Sequence, residues 1–210
     1  MTIGKSLKKF WNFLWNSDSF LSWLVFIVLA FILIKFVFFP IMSFALSTSL
    51  PLVIVESSSM HHDGSLFKSV TGFAVTNEDS FGTWWNKYSS WYTQEGINID
   101  KTQDWNFQSG MDKGDIVVVR GVKPEKLKVG DVIVFEADQK HPVIHRIVNI
   151  EKKGNDYIFQ TKGDNNNISG YGQFSFEKNI SEGSVIGKAV LKVPKLGWLK
   201  LAFVELFNRI

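Results

Sequence analysis

The chain has 210 residues, long enough for one sizeable domain, and a hydrophobic fraction of 45% excludes a disordered chain. Against 20 Asp and Glu stand 23 Lys and Arg, a net charge of +3 with no long basic block, which argues against a nucleic-acid partner. With no cysteine, disulfides, thiolate metal sites and cysteine nucleophiles are all excluded.

From Phe20 to Phe39 the sequence reads FLSWLVFIVLAFILIKFVFF, with Lys35 as its one charge. At about 1.5 Å per residue this run spans about 30 Å, which predicts a transmembrane helix over 20–40. A cleaved secretory signal and a buried soluble helix compete with that reading. The run is longer than the usual signal core of about 7–15 residues and no A-x-A site follows it. A helix apolar on every face also has few places to go in a domain this small. In the segment 1–19, Lys5, Lys8 and Lys9 outweigh Asp18, so a cytoplasmic amino terminus is expected, with 41–210 outside the cell.

Next comes LVIVESSSM (52–60), a strand-forming run that ends in Ser57, Ser58 and Ser59. Serines in such a place serve equally well as turn residues. Residues 61–110 have a different texture, mixing turn signals with aromatics in no clean period, and read as an insertion. Trp84, Trp85, Tyr88, Trp91 and Tyr92 either pack it down or sit at a membrane surface. After it, GDIVVVRG (114–121), GDVIVFEA (130–137), IHRIVNI (144–150) and YIFQTK (157–162) predict strands with no helices between them. The fold class is therefore mostly β, an antiparallel sheet or barrel. GWLKLAFVELFN (197–208) is too short for an ordinary span and suits a helix lying on the membrane or on the sheet.

A serine acts as a nucleophile only where a base takes its proton. The histidines are His61, His62, His141 and His145, and only His145 lies in a strand pattern, HPVIHRIV. If Gly154-Asn155 forms a hairpin loop, His145 falls opposite Asp164 of TKGDNN, about 5 Å away at Cα. There the carboxylate would orient the imidazole. A zinc site from His61, His62, Asp63 and His141 or His145 competes for the same side chains. Adjacent histidines rarely chelate one ion, however, and no HExxH helix exists, so no metal and no cofactor is expected. Asn167 and Asn179, each in Asn-Ile-Ser, fit glycosylation acceptors.

Taken together, the apolar anchor, the Ser-x-Ser-Met box at 57–60, the Gly-Asp strand, GDVIVF, IHRIV, TKGDNN and the closing IGKAVLKVPKLGWLKL resemble type I signal peptidase, in its archaeal and endoplasmic-reticulum branch. The likeness covers the anchor, residues 52–60 and residues 112–200. It implies a single-pass serine endopeptidase of the cell membrane, in contact with membrane lipid and secretion machinery, that cuts signal peptides from exported preproteins after small residues. By the same resemblance Ser59 is the nucleophile, His145 stands where the bacterial branch has lysine, and Ser57 supplies an oxyanion-hole hydroxyl. Ser58 takes the middle position, usually glycine. Val55, Met60 and Ile144 are expected to wall shallow substrate pockets. Two departures stand out. The usual Met-x-Pro gives way to His61, His62, Asp63 and Gly64, and Gly170 stands where a second aspartate is usual, leaving Asp164 as the expected acid. The non-enzymatic alternative is an anchored β-domain that binds partner proteins through the aromatic insertion.

Overall fold

The computed structural model describes residues 3–62, 78–166, 172–198 and 201. Asp63, Gly64, the Asn167 triplet, Gly170 and all of 197–208 except Gly197, Trp198 and Leu201 lie outside the described residues. The chain divides into two units, Met1–Ala45 and Leu46–Ile210.

In the first unit, helix α1 (Ile3–Asn16) occupies a segment to which the sequence assigns no element. Leu7, Phe10 and Leu14 recur on one helical face, enough for an amphipathic helix. Helix α2 (Phe20–Leu33) is capped by Ser19, whose Oγ accepts from Ser22 N at 3.2 Å. It continues through a π-helical turn (Ile34–Phe38) into α3 (Phe39–Leu46). Pro40 accounts for the wide turn: it lacks an N–H and crowds the carbonyl one turn back, and Phe39 N–H donates to Ile34 O instead. The apolar helix thus runs Phe20–Leu46, 27 residues, and by length and composition it can cross a membrane.

In the second unit, seven strands among the described residues form one antiparallel sheet. They are β1 (Leu52–Ile54), β2 (Ile116–Arg120), β3 (Val132–Phe135), β4 (Val143–Lys153), β5 (Asp156–Lys162), β6 (Ile180–Ser181) and β7 (Val185–Val193), in the order β1-β2-β7-β3-β4-β5-β6. All four residues of β3 are buried. Its alternating side chains feed two cores: Val132 and Val134 join Val55, Met60, Val117 and Ile144, while Ile133 and Phe135 join Leu127, Ile147 and Phe159. Gly154 takes a positive φ of 64° at the tip of the β4–β5 hairpin, and Lys153 pairs with Asp156 as the Gly-Asn turn predicts.

The described part of the insertion contains a helix, α4 (Glu78–Gln94), where its turn-rich texture suggests no regular element. Phe81, Trp84, Trp85, Tyr88 and Tyr92 recur at helical spacing and pack with Ile97, Trp105 and Val148 into a third core. Of the two roles weighed for these rings, packing is the one observed.

Candidate active site

After β1 the chain turns through the serines: His61 N donates to Ser58 O at 3.1 Å, and from across the site Asn165 N donates to Ser59 O at 2.7 Å. The turn brings Ser59 Oγ within 3.0 Å of His145 Nε2. Ser57 Oγ lies 3.1 Å from Ser59 Oγ and accepts from Ser59 N at 3.4 Å. A hydroxyl and a backbone N–H therefore stand side by side next to the Ser59 oxygen.

The other imidazole nitrogen, His145 Nδ1, lies 2.6 Å from Glu177 Oε1, at ion-pair distance though without the alignment of a linear hydrogen bond. A carboxylate there favours the proton on Nδ1 and leaves the Nε2 lone pair to the serine hydroxyl. Glu177 ends a short 3-10 turn (Ser175–Glu177) and is fully buried. Two backbone donors hold it: Gly163 N reaches Oε1 at 2.8 Å and Phe174 N reaches Oε2 at 2.6 Å. A Cβ at 163 would stand 2.8 Å from His145 Nε2 and closer still to the Asn166 amide, so any larger residue there must displace those side chains. Phe176 stacks over the imidazole, with 6.4 Å between ring centroids.

Asp164 does not meet His145. The expected register holds from the turn as far as Asn149↔Gln160, then a bulge at Val148 shifts it, so that Ile147 pairs with Thr161 and Arg146 with Lys162. One residue of slip turns a side chain to the opposite face of the sheet. The Asp164 carboxylate consequently faces Arg146, which donates from Nη2 at 2.7 Å and from Nε at 3.0 Å, and His62, whose Nε2 lies 2.9 Å away. Burial pushes its pKa up, but the charge of Arg146 and the His62 hydrogen bond outweigh that and hold it well below the usual carboxylate range.

Ser59, His145 and Ile144 line a groove of about 630 Å³, with Val53 and Ile54 on one wall, Pro142 and Val143 on the other, and Phe174 and Phe176 nearby. Val55 and Met60, expected to wall it as well, are instead buried in the core with Val117 and Val134. His61 Nδ1 engages Asp112 at 2.5 Å, while His62 stacks on Trp84 and meets Asp164, so these two of the histidines considered for zinc have separate partners.

The chain is similar to catalytic subunits of the signal peptidase complex. It is 27% identical over 92 residues to SEC11C of Homo sapiens, covering 42% of this chain and 48% of that protein. To sec11 of Dictyostelium discoideum it is 33% identical over 92 residues, 42% of this chain and 51% of that one. To signal peptidase I W of Bacillus subtilis it is 36% identical over 72 residues, 34% and 38% of the two chains. The chain is related to the type I signal peptidases. It spans about half the length of the SEC11-type relatives, and no family model matches it.

Within this signal-peptidase relative, sequence reasoning misses three buried side chains that surround the site. Glu177 sits 13 residues beyond Asp164 in a turn that no motif marks. Arg146 is an ordinary-looking strand residue, yet besides Asp164 it binds Asn106 O, Gly130 O and Phe107 O and lies 4.9 Å from the Trp105 ring. Lys162 ends β5 with its ammonium among the rings of Tyr88, Trp91 and Tyr92. A charged residue inside a strand pattern, Arg146 in IHRIV and Lys162 in IFQTK, was the available signal.

Proposed function

We propose that the chain is a membrane-anchored serine endopeptidase that removes signal peptides from preproteins, with Ser59 as nucleophile, His145 as general base and Glu177 as the acid that orients it. The observation that carries this reading is the 3.0 Å approach of Ser59 Oγ to His145 Nε2 in an apolar groove. β1 pairs on one side only, with β2, among the described residues, so an extended preprotein segment can add to its free edge and run past Ser59. His145 takes the Ser59 proton as Oγ attacks the scissile carbonyl, and the imidazolium so formed is stabilised by Glu177. The oxyanion is met by Ser59 N–H and, after rotation of its hydroxyl, by Ser57. His145 then protonates the leaving amine, and water releases the acyl group by the reverse sequence.

In this reading α2 and α3 fix the enzyme in the bilayer, with the lysine-bearing amino terminus in the cytoplasm and the β-domain outside. The SEC11 relatives are named as subunits of a complex, and companion subunits here are part of the same proposal. The test is cleavage of a model preprotein by the purified chain in detergent. Cleavage that disappears in Ser59→Ala is expected, and undiminished cleavage by that variant overturns the assignment.

A further inference from the structure

Lys162 is a buried ammonium without a carboxylate in contact with it among the described residues. Its Nζ donates to Gly163 O and Asn166 O, both at 3.0 Å, and so spans the turn that follows β5. The rings of Tyr88, Trp91 and Tyr92 on α4 enclose it, with centroids 5.0, 5.4 and 5.4 Å from Nζ. A desolvated cation over ring faces is attracted by their quadrupoles, which offsets part of the cost of its burial.

The turn that Lys162 spans holds both arms of the candidate catalytic set. Gly163 N donates to Glu177 at 2.8 Å, which fixes the acid behind His145. Asn165 N donates to Ser59 O at 2.7 Å and Asn165 Nδ2 to Ser58 O at 3.1 Å, which fixes the serine turn. Helix α4 grips the same turn directly: Trp84 Nε1 donates to Asp164 O at 2.8 Å, and Tyr88 OH to Asn165 Oδ1 at 2.8 Å. The insertion thus reaches Ser59 and Glu177 through four residues of backbone.

We propose that Lys162, caged by the aromatic face of α4, is a positioning residue that sets the distance between Ser59 and the His145–Glu177 pair by clamping the turn Gly163–Asn166. This assigns the insertion a task in turnover, and it rests on the reading of Ser59, His145 and Glu177 given above. A clamp of this kind acts on the reacting geometry and not on the groove that holds the substrate. Displacements of about 1 Å made away from the chemistry can cost on the order of 100-fold in rate.

The experiment compares steady-state cleavage of a model preprotein by wild type, Lys162→Met and Tyr88→Phe, all full-length and in detergent. Met keeps the length of the side chain in the cage but cannot donate to the two carbonyls. Lys162→Met is expected to lose on the order of 10- to 100-fold in kcat with KM within about twofold, the signature of an interaction that matters in the transition state. Tyr88→Phe keeps the ring, removes only the phenol oxygen on Asn165, and is expected to lose kcat in the same sense by a smaller factor. It stands in if Lys162→Met fails to fold. A folded Lys162→Met with normal kcat, a loss confined to KM, or a normal Tyr88→Phe where Lys162→Met does not fold overturns the clamp. Ser59→Ala run alongside separates the two readings: full activity there removes the site assignment and the clamp with it, whereas an inactive Ser59→Ala beside a fully active Lys162→Met removes the clamp alone.

Discussion

Glu177 Oε1 stands 2.6 Å from His145 Nδ1, while Asp164, two residues past the end of β5, gives its carboxylate to Arg146. The two acids therefore have different physical tasks. One faces the imidazole that faces Ser59, and the other neutralises a guanidinium in the core.

Glu177→Gln should reduce kcat on the order of 10³–10⁴-fold with little change in KM, because an amide in that place stabilises neither the Nδ1–H tautomer nor the imidazolium. The effect should not add to that of His145→Ala, since residues acting as a unit are lost together. Steady-state cleavage of a model preprotein by the two single variants and the double variant checks this. Near-normal kcat in Glu177→Gln would mean that Glu177 does not orient His145.

Asp164→Asn should act on stability first. Arg146 would remain fully buried without its counter-charge, and breaking a buried pair in this way costs about 3–5 kcal/mol. The pH dependence has a definite sign: the folded-state pKa of Asp164 lies below the unfolded one, so its contribution is complete above about pH 4 and is lost as pH falls through the depressed folded value. Thermal melts between neutral pH and acid should show wild type losing its advantage over Asp164→Asn only in acid. An equal margin at every pH would contradict the pairing.

Most of the sheet was legible because its signals are local: Gly-Asp openings, β-branched runs and a Gly-Asn turn specify β2 to β5 and the antiparallel hairpin between the last two. The site was legible only in part. Ser59 and His145 lie in recognisable boxes, but the acid depends on register, and the bulge at Val148 is invisible in a run that reads IHRIVNI without interruption. Glu177 depends further on a loop that brings residue 177 back to Gly163, a long-range relation with no local signature. Helix α4 carried a readable period in Phe81, Trp84, Trp85, Tyr88 and Tyr92, masked by the serines, threonine and glycine among them. Those small residues fall mainly on the other side of the helix, where packing does not decide.

Lys162 predicts an alkaline effect. Burial lowers its pKa to about 8, against the opposing pull of Asp164 and Glu177. Among the described residues, Tyr88 and Tyr92 of α4 and Arg146 opposite it on β4 are the other charged and titratable groups around it. A folded pKa below the unfolded value of 10.5 means that the buried ammonium costs stability in full below pH 8 and that the cost is relieved as pH rises toward 10.5. The whole interval corresponds to about 3 kcal/mol as an upper bound. Tyr92 acts in the opposite sense above pH 10, because burial, and then the charge of Asp164, raise its phenol well above 10. Between pH 8 and 10, then, denaturant unfolding should show wild type gaining stability relative to Lys162→Met. A difference that stays flat over that interval would mean that the amine does not titrate there.

The groove predicts which residues set specificity. Ile144 lines it beside His145, so a substrate side chain next to the scissile bond is expected to meet Ile144, whereas Met60 is sealed in the core and Val55 with it. Wild type should cleave a preprotein with Ala just before the bond in preference to one with Val or Phe. One methylene in a hydrophobic pocket is worth about 1–3 kcal/mol, so Ile144→Ala should shrink the preference for Ala over Val by roughly 10-fold or more in kcat/KM. Met60→Ala should leave that ratio alone and lower stability by about 2–5 kcal/mol, the cost of emptying a core position. The decisive comparison is the Ala-to-Val ratio of kcat/KM in the two variants, which cancels any common loss of rate. A ratio that moves in Met60→Ala and stays fixed in Ile144→Ala would restore Met60 as a pocket wall and take Ile144 out of the groove's recognition surface.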